Sequence, residues 1–287
     1  MDMRLPVLKT YKLYIGGQFP RTESGRYYEV KDKKDSLIAN LCLSSRKDMR
    51  NALVAARGAQ HSWANKTAYL KGQILYRIAE ILEGRKTQFI EELTTLGYST
   101  KNAENEVLES IDRLIYYAGW SDKYQQIFST VNPVAGPYFN FSKPEPTGLV
   151  VVTAPSTSPL LGLVSMLAPI FVGGNASVIV ADEQSGTVAI SFAEVLHSSD
   201  VPGGIINILT GKQSELLPIA ATHLDVNAIW VSDSSAELIK QIQQDASLNV
   251  KHIFTKNFKD WSSDKAQNPY LIQEFQEIKT TWHPVGM

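Results

Sequence analysis

The chain has 287 residues, 44% of them apolar, enough to bury one large core or two small ones. A formal net charge of −1 leaves neither the basic stripe of a nucleic-acid binder nor an acidic solvating tail. Cys42 is the one cysteine, so there is no internal disulfide and no cysteine cluster for zinc, and a reducing cytoplasm is the expected location.

Met1–Thr10 contains Arg4, Leu5 and Pro6 but no sustained apolar run, so no signal peptide is expected. Tyr11–Phe19 reads as a short strand turning at Gly16-Gly17, and Ser36–Leu43 as a second extended stretch. Ser45 and Asp48 have capping-box spacing and open a helix carrying Met49, Leu53, Ala56 and Trp63. Thr67 caps the next helix, with Leu70, Ile74, Ile78 and Ile81 on one face. A third helix carries Phe89, Ile90 and Leu93 and is closed by Gly97. A fourth, longer one is expected from Ala103 to Phe128, with Val107, Leu108, Ile111, Leu114 and Ile115 facing inward. Asn132–Pro146 breaks the pattern. Pro133, Gly136, Pro137, Pro144 and Pro146 exclude a helix, and Tyr138, Phe139 and Phe141 between them require a packing partner.

From Gly148 the rhythm becomes strand, helix, strand, helix. Strands are expected at Leu149–Thr153, Ser177–Val180, Ile205–Leu209, Val226–Val231 and Val250–Phe254. Helices are expected at Leu160–Phe171, Thr187–His197, Ser214–Ala221 and Ser235–Asp245. Buried strands alternating with helices imply a parallel sheet covered on both faces, with right-handed crossovers. The apolar stretches Gly148–Pro155 and Pro159–Val172 are too short or too interrupted to span a bilayer. Lys256–Pro269 is polar and reads as a linker. Phe275–Val285 gives a last extended stretch that must join a sheet elsewhere or another subunit.

The blocks between Gly148 and Gly211 resemble the cofactor-binding core of the aldehyde dehydrogenase superfamily. Pro155-Ser156-Thr157-Ser158-Pro159 stands where that superfamily has Pro-Trp-Asn-Phe-Pro. Ala168-Pro169, Gly174-Asn175, Val180-Ala181-Asp182-Glu183-Gln184 and Pro202 through Gly211 follow in the superfamily's order and spacing. Tyr14-Ile15-Gly16-Gly17 resembles its opening strand and Phe275–Trp282 its closing oligomerisation strand. Tyr116-Tyr117-Ala118-Gly119-Trp120-Ser121-Asp122-Lys123-Tyr124 resembles the second, shortened half of family-16 aldehyde dehydrogenases.

The resemblance implies an α/β fold: a Rossmann-like parallel sheet with N-terminal helices and a small β oligomerisation flap. It divides the chain into an N-terminal part of the NAD-binding-like domain (1–131), an oligomerisation arm (132–146), a Rossmann-like core (147–255), a linker replacing the catalytic domain (256–269) and a C-terminal oligomerisation strand (270–287).

Aldehyde oxidation of this type needs a thiolate nucleophile, a nicotinamide, a base for deacylation and donors for the oxyanion. The superfamily supplies thiol and base from segments after the fourth strand. Here no cysteine follows Cys42, and no glycine lies between Gly211 and Gly286 to form its Gly-rich motifs. No catalytic residue is therefore expected. The resemblance sets Thr157 at the oxyanion asparagine, Val180 at the ribose-binding lysine, and Asp233 at the glycine before the pyrophosphate-facing serine. Thr157, Glu183 and Ser234 are the vestigial cofactor-binding residues it leaves. A carboxylate at position 233 opposes a pyrophosphate at a helix N-terminus, so no cofactor is expected, with weak NAD binding as the alternative.

Of the single residues, Cys42 sits in an alternating strand context, which favours a half-buried strand thiol over a nucleophile. His61, His197, His223, His252 and His283 show no metal-ligand spacing. Asp182 and Glu183 follow a strand, where α/β sheets place ligands but solvated carboxylates are as common, and the alternative reading of Thr157 is a cap on the following helix. Tyr116, Tyr117, Trp120 and Tyr124 read first as packing and second as an interface. The expectation is a non-catalytic aldehyde-dehydrogenase-like subunit that oligomerises with itself or with a full-length aldehyde dehydrogenase. The alternatives are an NAD(P)-dependent oxidoreductase with a thiol supplied by a partner chain, and a ligand-free module kept for the stability of a complex. Neither nucleic acid nor a membrane is an expected partner.

Overall fold

The computed structural model describes residues 9–32 and 34–286; Arg4, Leu5 and Pro6 of the N-terminal reading lie outside them. Strands β1 (Tyr27–Lys31) and β2 (Leu37–Cys42) form an antiparallel pair, and helices α1 (Arg46–Ala64), α2 (Ala68–Gly84), α3 (Lys86–Thr95), α4 (Thr100–Trp120) and α5 (Tyr124–Phe128) follow. Next come β3 (Thr130–Asn132), β4 (Tyr138–Pro146), β5 (Leu149–Thr153), α6 (Leu161–Val172), β6 (Ala176–Val180), α7 (Gly186–His197), β7 (Ile206–Leu209) and α8 (Gln213–Thr222). The chain ends with β8 (Ala228–Trp230), α9 (Ala236–Ser247), β9 (His252–Phe254), a 3-10 turn at Asp264–Ala266, α10 (Tyr270–Gln273) and β10 (Gln276–Pro284).

The centre is a five-stranded parallel sheet in the order β7-β6-β5-β8-β9, the α/β arrangement expected from the alternating apolar runs. Every residue of β5, β6 and β7 is buried, because helices cover both faces. One core joins α2, α3, α4, α6 and α7 to one face of the sheet; the other packs α1, α8 and α9 against the opposite face. A separate antiparallel sheet has the order β10-β4-β3. The partner of the terminal strand is thus β4, paired from Gln276↔Pro146 to Pro284↔Tyr138.

Local signals set several boundaries. Ser45 accepts hydrogen bonds from the Lys47 and Asp48 amides while the Asp48 carboxylate accepts from the Ser45 amide, completing the capping box of α1. Thr67 caps α2 through the Leu70 amide. Gly97, at φ 95°, follows α3, with its amide bonded to the Thr94 carbonyl and that of Tyr98 to the Leu93 carbonyl.

Four readings need correction. Tyr11–Phe19 makes only isolated bridges, Tyr14 to Ile208 among them, around a turn closed by Ile15 and Gln18. The helix expected over Ala103–Phe128 begins three residues earlier, capped by Ser99, and breaks at Ser121–Lys123. There the Ser121 hydroxyl donates to the Ala118 carbonyl at 2.8 Å, a side-chain bond that competes with continuation of the helix. Leu108 and Ile115 are exposed, because they lie beside the buried stripe of Val107, Ile111 and Leu114. Residues 256–269 are no loose linker: Trp261 and Ala266 are buried in the main core.

Candidate functional site

In a sheet of this order the chain turns back at β5, so the crevice between the loops after β5 and β8 is where an α/β fold places a ligand. Thr157 follows β5, Glu183 follows β6 and Ser234 follows β8, so the three sequence-selected residues line one edge of the sheet. Among the described residues no hydrogen bond joins any two of them. Thr157 is exposed, and its carbonyl accepts from the Tyr98 hydroxyl at 3.1 Å. Glu183 is exposed, while neighbouring Asp182 accepts from the amides of Gln184 and Ser185 and so shapes the turn into α7. Ser234 donates to the Gln213 side chain at 2.9 Å.

The crevice is bridged by Asp233. One carboxylate oxygen accepts from the Ser156 amide at 2.9 Å and the Ser156 hydroxyl at 3.2 Å, and the other accepts from the Asn257 side-chain amide. Asp233 has φ 52°, a left-handed backbone that glycine adopts without strain. Beneath it the Thr153 hydroxyl donates to the Ser232 carbonyl and accepts from the Ser232 amide, tying β5 to the end of β8. The N-terminus of α9 is capped by Ser235 through the Leu238 amide. Val180, fully buried in β6, brings neither charge nor a side-chain hydrogen bond to this edge.

Beside the β5 loop lies a polar cleft of about 300 Å3, bordered by Tyr98, Glu106, Thr157, Ser158, Lys259 and Trp261. Glu106 reaches across from α4 and caps α6. Its carboxylate accepts from the Leu160 and Leu161 amides, both at 3.0 Å, and from the Ser158 hydroxyl at 2.8 Å. A carboxylate is favoured at this positive helix end, although burial outweighs these hydrogen bonds and holds the Glu106 carboxyl above its ordinary pKa. The cap of α6 is therefore Glu106 and not Thr157. Glu106 and Arg113 share the inward face of α4 with Ala103 and Tyr117, so two charges seven residues apart on an apolar stripe were the signal available in the sequence.

Arg113, 1% exposed, donates to the carbonyls of Trp261 and Ala266, to the Gln267 side chain and to the Ser165 hydroxyl. The Tyr117 hydroxyl adds a bond to the Asn268 carbonyl at 3.1 Å. Together they fix the segment that closes the cleft. Cys42 lies in β2, the strand setting read from the sequence, but is buried rather than half-buried, with its thiol directed to the Tyr11 carbonyl at 3.5 Å. Among the described residues no group of three His, Cys, Asp or Glu side chains has metal-site geometry, and no helix is long and apolar enough to cross a membrane.

Comparison with known proteins agrees with this fold. The profile of the aldehyde dehydrogenase family matches residues 20–256. The chain is 30% identical over 257 residues to omega-crystallin of Enteroctopus dofleini, covering 86% of the chain and 50% of that protein. It is 31% identical over 258 residues to the cytosolic 10-formyltetrahydrofolate dehydrogenase of Mus musculus, covering 87% of the chain and 28% of that protein. The NAD+ complex of an aldehyde dehydrogenase from Bacillus cereus superposes with a TM-score of 0.81 at 23% identity, over 85% of this chain and 50% of that one. The chain thus spans half or less of the length of these relatives. With a family match over most of its length and the parallel sheet that goes with it, the chain belongs to the aldehyde dehydrogenase family.

Proposed function

We propose that this chain is a non-catalytic aldehyde-dehydrogenase-like subunit that oligomerises, with a catalytic aldehyde dehydrogenase as its partner in a reducing cytoplasm. The observation that carries this reading is Asp233, whose carboxylate spans the crevice from Ser156 to Asn257. A pyrophosphate at that position meets a fixed negative charge and a helix start already capped by Ser235. The other helix start beside the crevice, that of α6, is filled by Glu106. These residues do not fit a dinucleotide, and the one thiol of the sequence lies in the β1–β2 pair, with its sulfur turned to a backbone carbonyl.

Support for assembly comes from the β10-β4-β3 sheet. Val131 is 69% exposed and Trp282 59%, with Phe139 and Ile278 also exposed, and the outer edge of β10 is unpaired among the described residues. Such an edge, with Val131 and Phe139 exposed on one face of the sheet and Trp282 and Ile278 on the other, favours strand addition by a second chain.

Calorimetric titration with NAD tests the ligand half of the proposal. The wild type is expected to give no binding heat at millimolar NAD, and Asp233→Gly is expected to gain measurable heat because it removes the charge while suiting the left-handed backbone. Tight NAD binding by the wild type would sink the reading. The alternative, an NAD(P)-dependent oxidoreductase that borrows a thiol from its partner, draws on Glu183 and Ser234 at the strand ends. It requires NAD-dependent aldehyde turnover by the mixed proteins that exceeds that of the partner alone and falls in Ser234→Ala.

A further inference from the structure

We propose that β10 pairs with β10 of a second copy of this chain, antiparallel about a two-fold axis at Thr280. The pairing rests on the reading of the small sheet as an assembly surface and gives that surface its partner. The backbone fixes which groups are free. At the two ends of β10 the Thr147 amide donates to the Phe275 carbonyl at 3.2 Å and the Val285 amide to the Pro137 carbonyl at 2.9 Å. Both bonds continue the register with β4, which runs without a shift from Gln276↔Pro146 to Pro284↔Tyr138. In an antiparallel ladder, residues bonded to one neighbour alternate with residues that face away from it. The odd-numbered residues of β10 therefore bond β4, and the amides of Gln276, Ile278, Thr280 and Trp282 point outward. Among the described residues no strand occupies that outer edge.

A second copy satisfies these groups in one register. With Thr280 opposite itself, Ile278 meets Trp282 and Gln276 meets Pro284, so all nine residues of the strand are paired. Pro284, which has no amide proton, then falls at the end of the ladder and interrupts nothing. Moving the axis to Thr281 sets Pro284 opposite Ile278 and leaves the Ile278 carbonyl without a donor. Moving it to Lys279 sets Pro284 opposite Glu274, which is helical and cannot extend the ladder. The side chains agree with the Thr280 register. On one face Ile278 stands opposite Trp282 of the second copy, twice by symmetry, and both side chains are exposed in the single chain. On the other face Glu277 stands opposite His283 and Lys279 opposite Thr281, so no like charges face each other. Within its own chain Glu277 also faces His252 at 3.0 Å, and Lys279 is met by Glu145 at 3.4 Å. The edge lacks the usual protection: the strand is long, has no bulge against β4, and carries its proline at the last position.

Sedimentation across a concentration series tests the pairing. A ladder of this length is smaller than a standard interface, so the wild type is expected to pass from monomer to dimer as its concentration rises through the micromolar range. Thr280→Pro removes an outward amide and no bond to β4. It is expected to keep the wild-type far-ultraviolet circular dichroism while dimerising at least roughly tenfold more weakly. Oxidation reads the register. Lys279→Cys mixed with Thr281→Cys is expected to give a disulfide-linked dimer, because a non-hydrogen-bonded pair sets the Cα atoms about 4.5 Å apart, and either protein alone is expected to give little. Wild-type protein that stays monomeric at every concentration would overturn the proposal, and its co-elution with a full-length aldehyde dehydrogenase would then leave the assembly reading standing. Dimerisation unchanged in Thr280→Pro, or equal cross-linking in single and mixed samples, would overturn this edge and register. A dimer that binds NAD tightly would remove the non-catalytic reading and leave the β10 pairing intact.

Discussion

Single residues in this fold carry charge where the core allows little of it. Lys71 on α2 is 5% exposed, its ammonium donates to the Ala64 carbonyl at 3.2 Å, and burial lowers its pKa to about 8. A folded-state pKa below the unfolded value means that the unfolded chain binds more protons between about 8 and the ordinary 10.5. Stability is therefore expected to rise with pH across that window. Lys71→Met should flatten the rise and stabilise the protein at neutral pH by about 2 kcal/mol, after loss of the Ala64 bond, as read by urea unfolding at several pH values. Asp233 offered a different kind of legibility. Its alignment with a glycine was visible in the sequence, and the left-handed φ of 52° is the backbone such a glycine would have. The hydrogen bonds to Ser156 and Asn257 were not visible, because they join residues far apart in the chain.

At the scale of elements, periodicity located the strands and helices of the core well, since β5, β6 and β7 are buried along their whole length. It failed where one element limits another. Gly72 of α2 approaches the end of α4 so closely that an added Cβ would stand 2.6 Å from the Ser121 hydroxyl and 3.0 Å from the Ala118 carbonyl. The break before α5 lies at that crossing, where the local bond from the Ser121 hydroxyl to the Ala118 carbonyl coincides with the close approach of α2. The polar composition of 256–269 likewise concealed its anchorage. Its backbone carbonyls are satisfied by Arg113, a residue about 150 positions away. Arg113→Ala is expected to lower stability by roughly 3–5 kcal/mol, because it strands buried acceptors. Proteolysis within 256–269 should accelerate in that variant; unchanged stability and cleavage would count against this anchoring.

For the whole molecule, the small sheet is the feature that looks outward. If this sheet is the assembly surface, the Val131→Glu/Trp282→Glu double variant, which places a charge on each of its two faces, should elute as a monomer under conditions where the wild type does not, with unchanged far-ultraviolet circular dichroism. Wild-type protein that elutes as a monomer, both alone and with a full-length aldehyde dehydrogenase, would exclude the proposed assembly.

The sequence by itself determined the family, the alternation that makes a parallel sheet, and the supply of chemistry-bearing residues, since one cysteine in 287 residues is a fact of composition. Those properties are local or additive: side-chain period, block spacing and residue count. Only the tertiary structure decided which chemistry-bearing residues are already committed. Glu106 faces the start of α6, Asp233 spans the crevice and Arg113 grips the closing segment because packing the layers brings distant polar groups within hydrogen-bond reach. A buried polar group must find its partner wherever the fold places one, and that distance is not written in the spacing of the chain.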